Sequence, residues 1–171
     1  YGADAVRLFI LSDSPPEKDI QWSENGMASA FKFIQKFWLL NNQVTKVLKK
    51  DKIIKKDEIE FFTNQSINKI NFALEKFRYN VIIAVFHEIY TFFRKISERN
   101  TNFKNLKKNF EKILIIMLPV VPHFANECLS RFEYKEDFKW PLIDKKYLIK
   151  DKNLVVIQVN GKKRNTILIL S

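Results

Sequence analysis

Two groups of basic residues have types and spacing that could act on a ligand. Lys32 and Lys36 lie four residues apart in a helical stretch, so both ammonium groups share one side, one turn apart, and could meet successive phosphates. Lys162, Lys163 and Arg164 directly follow Asn160-Gly161, a favoured hairpin turn, where backbone and side chains protrude together. Both groups suit charge-based contact with the backbone of a polyanion. Both also suit a solvated helix face and a soluble turn, and sequence physics leaves the two readings open.

Acid–base and nucleophilic chemistry find less support. His87 stands beside Glu88 and His123 follows Pro122, but neither has a Ser, Cys or carboxylate at a spacing that marks a catalytic pair. Packing roles are expected for both. Cys128 falls on an apolar face and reads as a small core residue; as the one cysteine it excludes an internal disulfide and a cysteine zinc site. Asp4 with Asp13, and Asp57 with Glu58 and Glu60, read as caps and surface charges. There is no nucleophile elbow, phosphate loop or metal-ligand set. The expectation is a chain with no catalytic residue, no metal and no cofactor of its own.

Composition narrows the setting. The 171 residues are 46% hydrophobic, enough for one moderate domain or a domain plus a fragment. Sixteen Phe against three Gly argue for long helices with large side chains. Lys and Arg outnumber Asp and Glu by 30 to 19, a net charge of +11 that favours RNA, DNA or an anionic membrane as partner, or else a lysine-rich surface of biased composition. No apolar run reaches membrane-spanning length and no signal-peptide layout opens the chain, so a soluble, cytoplasmic protein is expected. The sequence begins at Tyr1 rather than Met and reads as cut from something longer.

The elements that must position these residues are mostly helical. Residues 1–11 form a short helix with Ala5, Leu8, Phe9 and Leu11 inward and Asp4 and Arg7 on its polar side; Pro15 and Pro16 end it. A long helix follows, capped by Ser23, with Glu24 at its positive end and Trp22 and Met27 spaced as a hydrophobic staple. Its apolar stripe runs through Met27, Ala30, Phe31, Ile34, Phe37, Trp38, Val44 and Leu48, with Lys32, Gln35, Lys36, Gln43 and Lys46 opposite. The segment 49–56 reads as a solvated loop.

A second long helix is expected from an Asp57 cap and a Glu60 capping box, with Ile59, Phe62, Ile70, Ala73, Leu74 and Phe77 inward. Tyr79-Asn80 breaks it, and Asn80 caps a third helix that is apolar almost all round and so belongs at the centre. Phe103, Leu106, Phe110, Ile113, Leu114 and Met117 stripe a fourth, and Pro122 suits the first turn of a short last helix. Residues 134–148 read as irregular, with Trp140-Pro141 packed back onto the bundle. Two β-branched runs around Asn160-Gly161 then predict a hairpin of unassigned register, too small to stand alone.

Several of these stretches together resemble leucyl-tRNA synthetases of the bacterial type. YGADAVRLFILSDSPPEKDIQWSENG is similar to the family's segment after the KMSKS loop, and AFKFIQKFW to its aromatic and basic helix continuation. YNVIIA matches an aromatic-Asn helix start, LPVVPHFANECL a Pro-x-x-Pro-His element, and Trp140-Pro141 with VVIQVNGKKRNTI the junction and first hairpin of the C-terminal tRNA-binding domain. The similarity runs in order from Tyr1 to about Ile167. Two positions depart from the pattern: Cys128-Leu129-Ser130 stands where the family has Leu-Trp, and Lys163 where it is often apolar.

The resemblance implies a mainly α fold: a class I synthetase anticodon-binding-type helical bundle with a β-hairpin from a truncated α+β domain. Residues 1–22 would be a connector following the catalytic domain, 23–150 the bundle, and 151–171 the first hairpin of the C-terminal domain. The parent would be a leucine–tRNA ligase using ATP and magnesium, with its catalytic residues and editing domain elsewhere. Implied partners are tRNA-Leu and the catalytic domain of the same chain, against which the inward face of the first helix would pack; a monomer is implied, and no membrane. Carried over by position, Lys32, Lys36, Lys162 and Arg164 would be tRNA-binding, touching backbone rather than bases. The rivals are the same bundle from a valyl, isoleucyl or methionyl enzyme, and a structural helical module whose charge serves only solubility.

Overall fold

The longest described helix is the 25-residue α2 (Glu24–Leu48). The computed structural model describes residues 1–13, 18–50, 53–54, 57–134, 139–148, 152–159 and 162–170. In chain order these give α1 (Ala3–Asp13), α2, β1 (Ile53–Ile54), α3 (Glu58–Glu75), α4 (Tyr79–Glu98), β2 (Asn102–Phe103), α5 (Leu106–Met117), α6 (Pro122–Arg131), a short 3-10 turn (Lys145–Tyr147), β3 (Lys152–Val159) and β4 (Lys162–Leu170). α2 packs on α1, α4 and α6, while α3 packs on α4 and α5. The Pro15-Pro16 turn and the Asn160-Gly161 turn lie outside the described residues.

α2 starts as its sequence dictates. Ser23 sits in extended backbone and its hydroxyl accepts the Gly26 N–H at 3.2 Å, satisfying one orphan donor of the first turn. Trp22 does not staple onto Met27: it packs edge-on against Phe9, centroids 5.6 Å apart, and donates its indole N–H to Glu24. The buried face also differs from the expected stripe. Phe33, Leu40, Asn41 and Val47 join Met27, Ala30, Phe37 and Val44 inside, while Phe31, Ile34, Trp38 and Leu48 lie at its edge. With apolar residues on more than half the helix surface, periodicity alone could not fix the centre of the stripe; neighbours on two sides did.

Those neighbours meet at Phe110 of α5. Its ring lies 5.1 Å from Phe93 of α4, 5.6 Å from Phe132 after α6 and 6.3 Å from Phe37 of α2. Phe37, Phe93 and Phe110 are fully buried. α3 and α4 run antiparallel, fastened by stacked Phe62 and Phe92 rings 3.9 Å apart and by a Glu58–Arg99 ion pair at their far ends. α4 packs on α1, α2 and α3 but is not apolar all round: Val81, Ala84, His87, Glu88 and Thr91 face solvent on its open side.

Helix ends account for most departures from expectation. Asp57 already has helical backbone angles and makes no side-chain cap, while Glu60 accepts instead from Asn105 at 2.9 Å. Asn80 lies inside α4, and Arg78 holds the cap position. α3 stops at Phe77, whose φ of 53° is left-handed; Phe77 N–H bonds Leu74 O and Arg78 N–H bonds Ala73 O, a Schellman closure. Phe77 is therefore 63% exposed rather than inward. Glu133 ends α6 in the same way, with a φ of 55° and bonds from Glu133 N–H to Ser130 O and Tyr134 N–H to Leu129 O.

A feature absent from the sequence reading is the parallel pairing of β1 with β2, which ties the α2–α3 connection to the start of α5. Asn102 reinforces it by donating to Leu48 O at 3.1 Å. Trp140 packs back as expected, its indole N–H donating to Asn71 at 2.8 Å, and Asp144 N–H bonds the buried Asn64 of α3. β3 and β4 form an antiparallel hairpin whose register skips Arg164, between Gln158↔Lys163 and Ile157↔Asn165.

α1 and α2 approach so closely that a Cβ at Gly26 would stand 2.5 Å from the Phe9 ring. Gly26→Ala should therefore lower stability by about 1–3 kcal/mol through overpacking, despite alanine's better helix propensity. Phe77→Gly should raise it by about 0.5–1 kcal/mol, because glycine adopts left-handed backbone without the penalty a Cβ imposes. Urea denaturation of the two variants beside the wild type measures both.

Candidate nucleic-acid interface

Burial of Phe33 and Phe37 on α2 forces Lys32 and Lys36 outward, one turn apart. Among the described residues neither enters an ion pair. Beside them, from α4, is His87, whose ring lies 4.3 Å from Phe33. Partial burial and, second, the Lys36 ammonium hold its imidazole below the usual 6.5, so it is neutral near neutral pH. Its sequence neighbour Glu88 is engaged elsewhere, with Lys69 of α3 at 2.6 Å. Lys32, Lys36 and His87 thus form one exposed, positively biased face.

Lys162 and Arg164 belong to β4. Lys162 stands opposite Val159, and Arg164 is the residue the register skips, a bulge at the start of the strand. Described backbone places these two together on the hairpin, on an element apart from the α2 pair.

His123 and Asp4 correct the sequence reading. The His123 Nδ1 lies 2.9 Å from Asp4 Oδ1, a carboxylate partner 119 residues away that no local spacing could reveal. Asp4 is not a surface charge: it is 8% exposed, and its other oxygen accepts the buried Phe124 N–H at 2.6 Å. Arg7 stays exposed and donates to Val120 O and Pro119 O. Both hold α1 to the turn before α6. Ala5, Leu8 and Phe9 pack within this bundle, on α2, α4 and α6, and not against a domain outside it. Cys128 is buried, and burial pushes its thiol up to about 12, so it is not a nucleophile near neutral pH.

The sequence reading missed a second basic surface. The outward side of α5 and the segment 139–142 wall an open cleft of about 1060 Å³, which Leu48 of α2 also lines. Lys104, Lys107, Lys108, Lys112 and Lys139 line it, against Glu111 and Glu133. The four-residue steps from Lys104 to Lys108 to Lys112 repeat the spacing of Lys32 and Lys36 and were visible in the letters. The opposing wall, more than 25 residues further on, was not.

The described chain is a basic, mainly helical bundle with a terminal hairpin. Residues 56–171 match the family model of the anticodon-binding domain of tRNA ligase, and the chain belongs to that family. Curated relatives are more particular. The chain is 34% identical over 182 residues to the leucine–tRNA ligase of Fusobacterium nucleatum, covering 97% of this chain and 21% of that protein. It is 32% identical to the leucine–tRNA ligase of Novosphingobium aromaticivorans, covering 98% and 19%. It therefore spans about a fifth of the length of the curated relatives it matches. The fold is shared with Agrobacterium radiobacter K84 agnB2 LeuRS, solved as a ternary complex with tRNA and LeuAMS: TM-score 0.76, 20% identity, 99% of this chain and 23% of that one. Among the described residues no helix is long and apolar enough to cross a membrane.

The His87 geometry yields a pH prediction. A lowered folded pKa means that the unfolded chain binds the proton first as pH falls below 6.5. Stability is therefore full above 6.5 and declines as pH falls from there through the folded value. Lys36→Ala removes part of the repulsion, so the His87 pKa should rise toward 6.5 in an NMR titration; an unchanged value would place Lys36 too far away to act.

Proposed function

We propose that this chain is the tRNA-contacting portion of a leucine–tRNA ligase, holding tRNA-Leu so that its 3′ end reaches a catalytic domain elsewhere in the same protein. The observation that carries the reading is the match to leucine–tRNA ligases along 97% of the chain, bundle and hairpin together. The net charge of +11 and the exposed Lys32–Lys36 pair supply what such a role needs, electrostatic attraction to a phosphate backbone. In this reading Lys32 and Lys36 meet successive phosphates, while Lys162 and Arg164 at the hairpin bulge meet others. Lysine suits that task as a point charge with rotatable donors, which fixes position without reading bases.

The reaction of the parent enzyme, leucylation with ATP and magnesium, belongs to residues outside this chain. Here the side chains bind and orient. The chain acts as a monomer in the cytoplasm, with 1–22 as connector, 23–150 as bundle and 151–171 as the first hairpin of a further tRNA-binding domain. Valyl, isoleucyl and methionyl enzymes are the rivals, and a charging assay on the parent protein decides the amino acid.

Binding of the 171-residue chain to a tRNA-Leu transcript and to a short-armed tRNA across a salt series tests the reading. The log–log slope should be steeper than about −2, and Lys32→Ala with Lys36→Ala should flatten it by about 2. Absence of binding at low salt, or binding indifferent to salt, would favour a structural module instead.

A further inference from the structure

The lysine-lined cleft between α5 and the segment 139–142 has no part in the contacts assigned so far. We propose that it is a separate docking site for an RNA sugar–phosphate strand, which rests on the tRNA reading above.

Burial of Leu106, Phe110, Ile113 and Leu114 fixes the rotation of α5, so Lys108 and Lys112 must face out, with Lys104 in the turn just before the helix. Lys108 and Lys112 are four residues apart in the helix, about 6 Å along its axis, a stride near that of adjacent phosphates on a strand, with Lys104 before them across the left-handed Asn105. Among the described residues Lys104, Lys108, Lys112 and Lys139 enter no ion pair. The carboxylates do not cancel them. Glu111, its side chain only 15% exposed, faces Lys107 at 3.8 Å, and one further acidic residue, Glu133, lines the cleft. Asp144 is close enough for Lys112 to help hold its carboxyl below the usual range, yet its first partner is Lys146 at 3.0 Å.

The opposite wall supplies what a nucleic acid uses besides charge. Trp140 has its indole N–H fixed on Asn71, which sets the ring plane, and it keeps 38% of its surface exposed beside Leu142, which is 88% exposed. A lysine row facing an oriented aromatic matches phosphates on one side and a base or ribose face on the other. An acidic peptide would use the charge alone.

The site is also apart from Lys32 and Lys36. Leu48, which lines the cleft, lies 12 residues beyond Lys36 on the same helix, about 18 Å along its axis. One RNA touching both must lie along α2.

The test is a salt-series titration of the 171-residue chain with tRNA-Leu. Lys104→Ala/Lys108→Ala/Lys112→Ala should flatten the log–log slope by about 2–3 and weaken binding roughly tenfold at moderate salt. A control of equal charge loss, Lys18→Ala/Lys76→Ala/Lys95→Ala, should change the slope by less than about one unit. Equal effects from the two sets, or none from the cleft set, overturn the cleft and leave the tRNA reading standing. Failure of the wild type to bind overturns that reading and the cleft with it. Lys104→Ala/Lys108→Ala, both fully surface positions, repeats the measurement if the triple variant does not fold. A photocrosslinker on Lys108→Cys, selective because Cys128 is buried, should join the chain to bound RNA; binding without crosslinking would overturn the site.

Discussion

The Phe110 ring is where the chain's halves are made to agree. It touches aromatic rings from α2, from α4 and from the turn after α6, so the rotation of each of those helices is set by one junction rather than by its own pattern. Interiors pack at crystal-like density, and an aromatic hub tolerates little rotation before rings collide or voids open. Truncation of such a residue typically removes about 3–5 kcal/mol. The surface inherits this order: once the phenylalanines are placed, each lysine has one side available. The positive faces are consequences of the core.

Much of the architecture was legible because large side chains leave strong periodicity. Every residue read into the α5 stripe is buried, though Asn109, Ile115 and Ile116 join it, Pro122 marked the first turn of α6, and Ser23 marked the start of α2. What escaped notice depends on contacts far apart in sequence. Asp4 looks like a helix-surface carboxylate until Phe124 presents a buried N–H to it. The β1–β2 pairing joins stretches 49 residues apart, each too short to carry a pattern. Phe77 and Glu133 end helices where glycine would be the local signal, because tertiary packing overrides propensity there. For the candidate interface, one face of lysines was seen on α2 and the matching row on α5 was not, since a row becomes a cleft only when Trp140 folds across it.

Electrostatically the molecule separates two kinds of charge. Ion pairs such as Lys69–Glu88 and Arg131–Glu127 are exposed and contribute little to stability. Arg131 is further occupied by Trp38, over whose ring it lies at 4.0 Å. Among the described residues, the lysines of the α2 face and Lys104, Lys108 and Lys112 on and before α5 enter no such pair. A polyanion approaching this surface meets charge that needs no internal pair to be broken first, which favours fast, salt-sensitive association over selective recognition.

The tether from Asp4 to the start of α6 also bears on how the chain is made. A ribosome releases residue 4 long before residue 124, and at synthesis rates of about 5–20 residues per second the gap is roughly 6–24 seconds. Throughout that interval α1 lacks the backbone N–H its carboxylate needs, and its apolar face lacks α6. Of the helices of this bundle, α1 emerges before the others yet completes its seat only when α6 arrives. A nascent chain must keep Ala5, Leu8 and Phe9 occupied in the meantime, on α2 or on a chaperone.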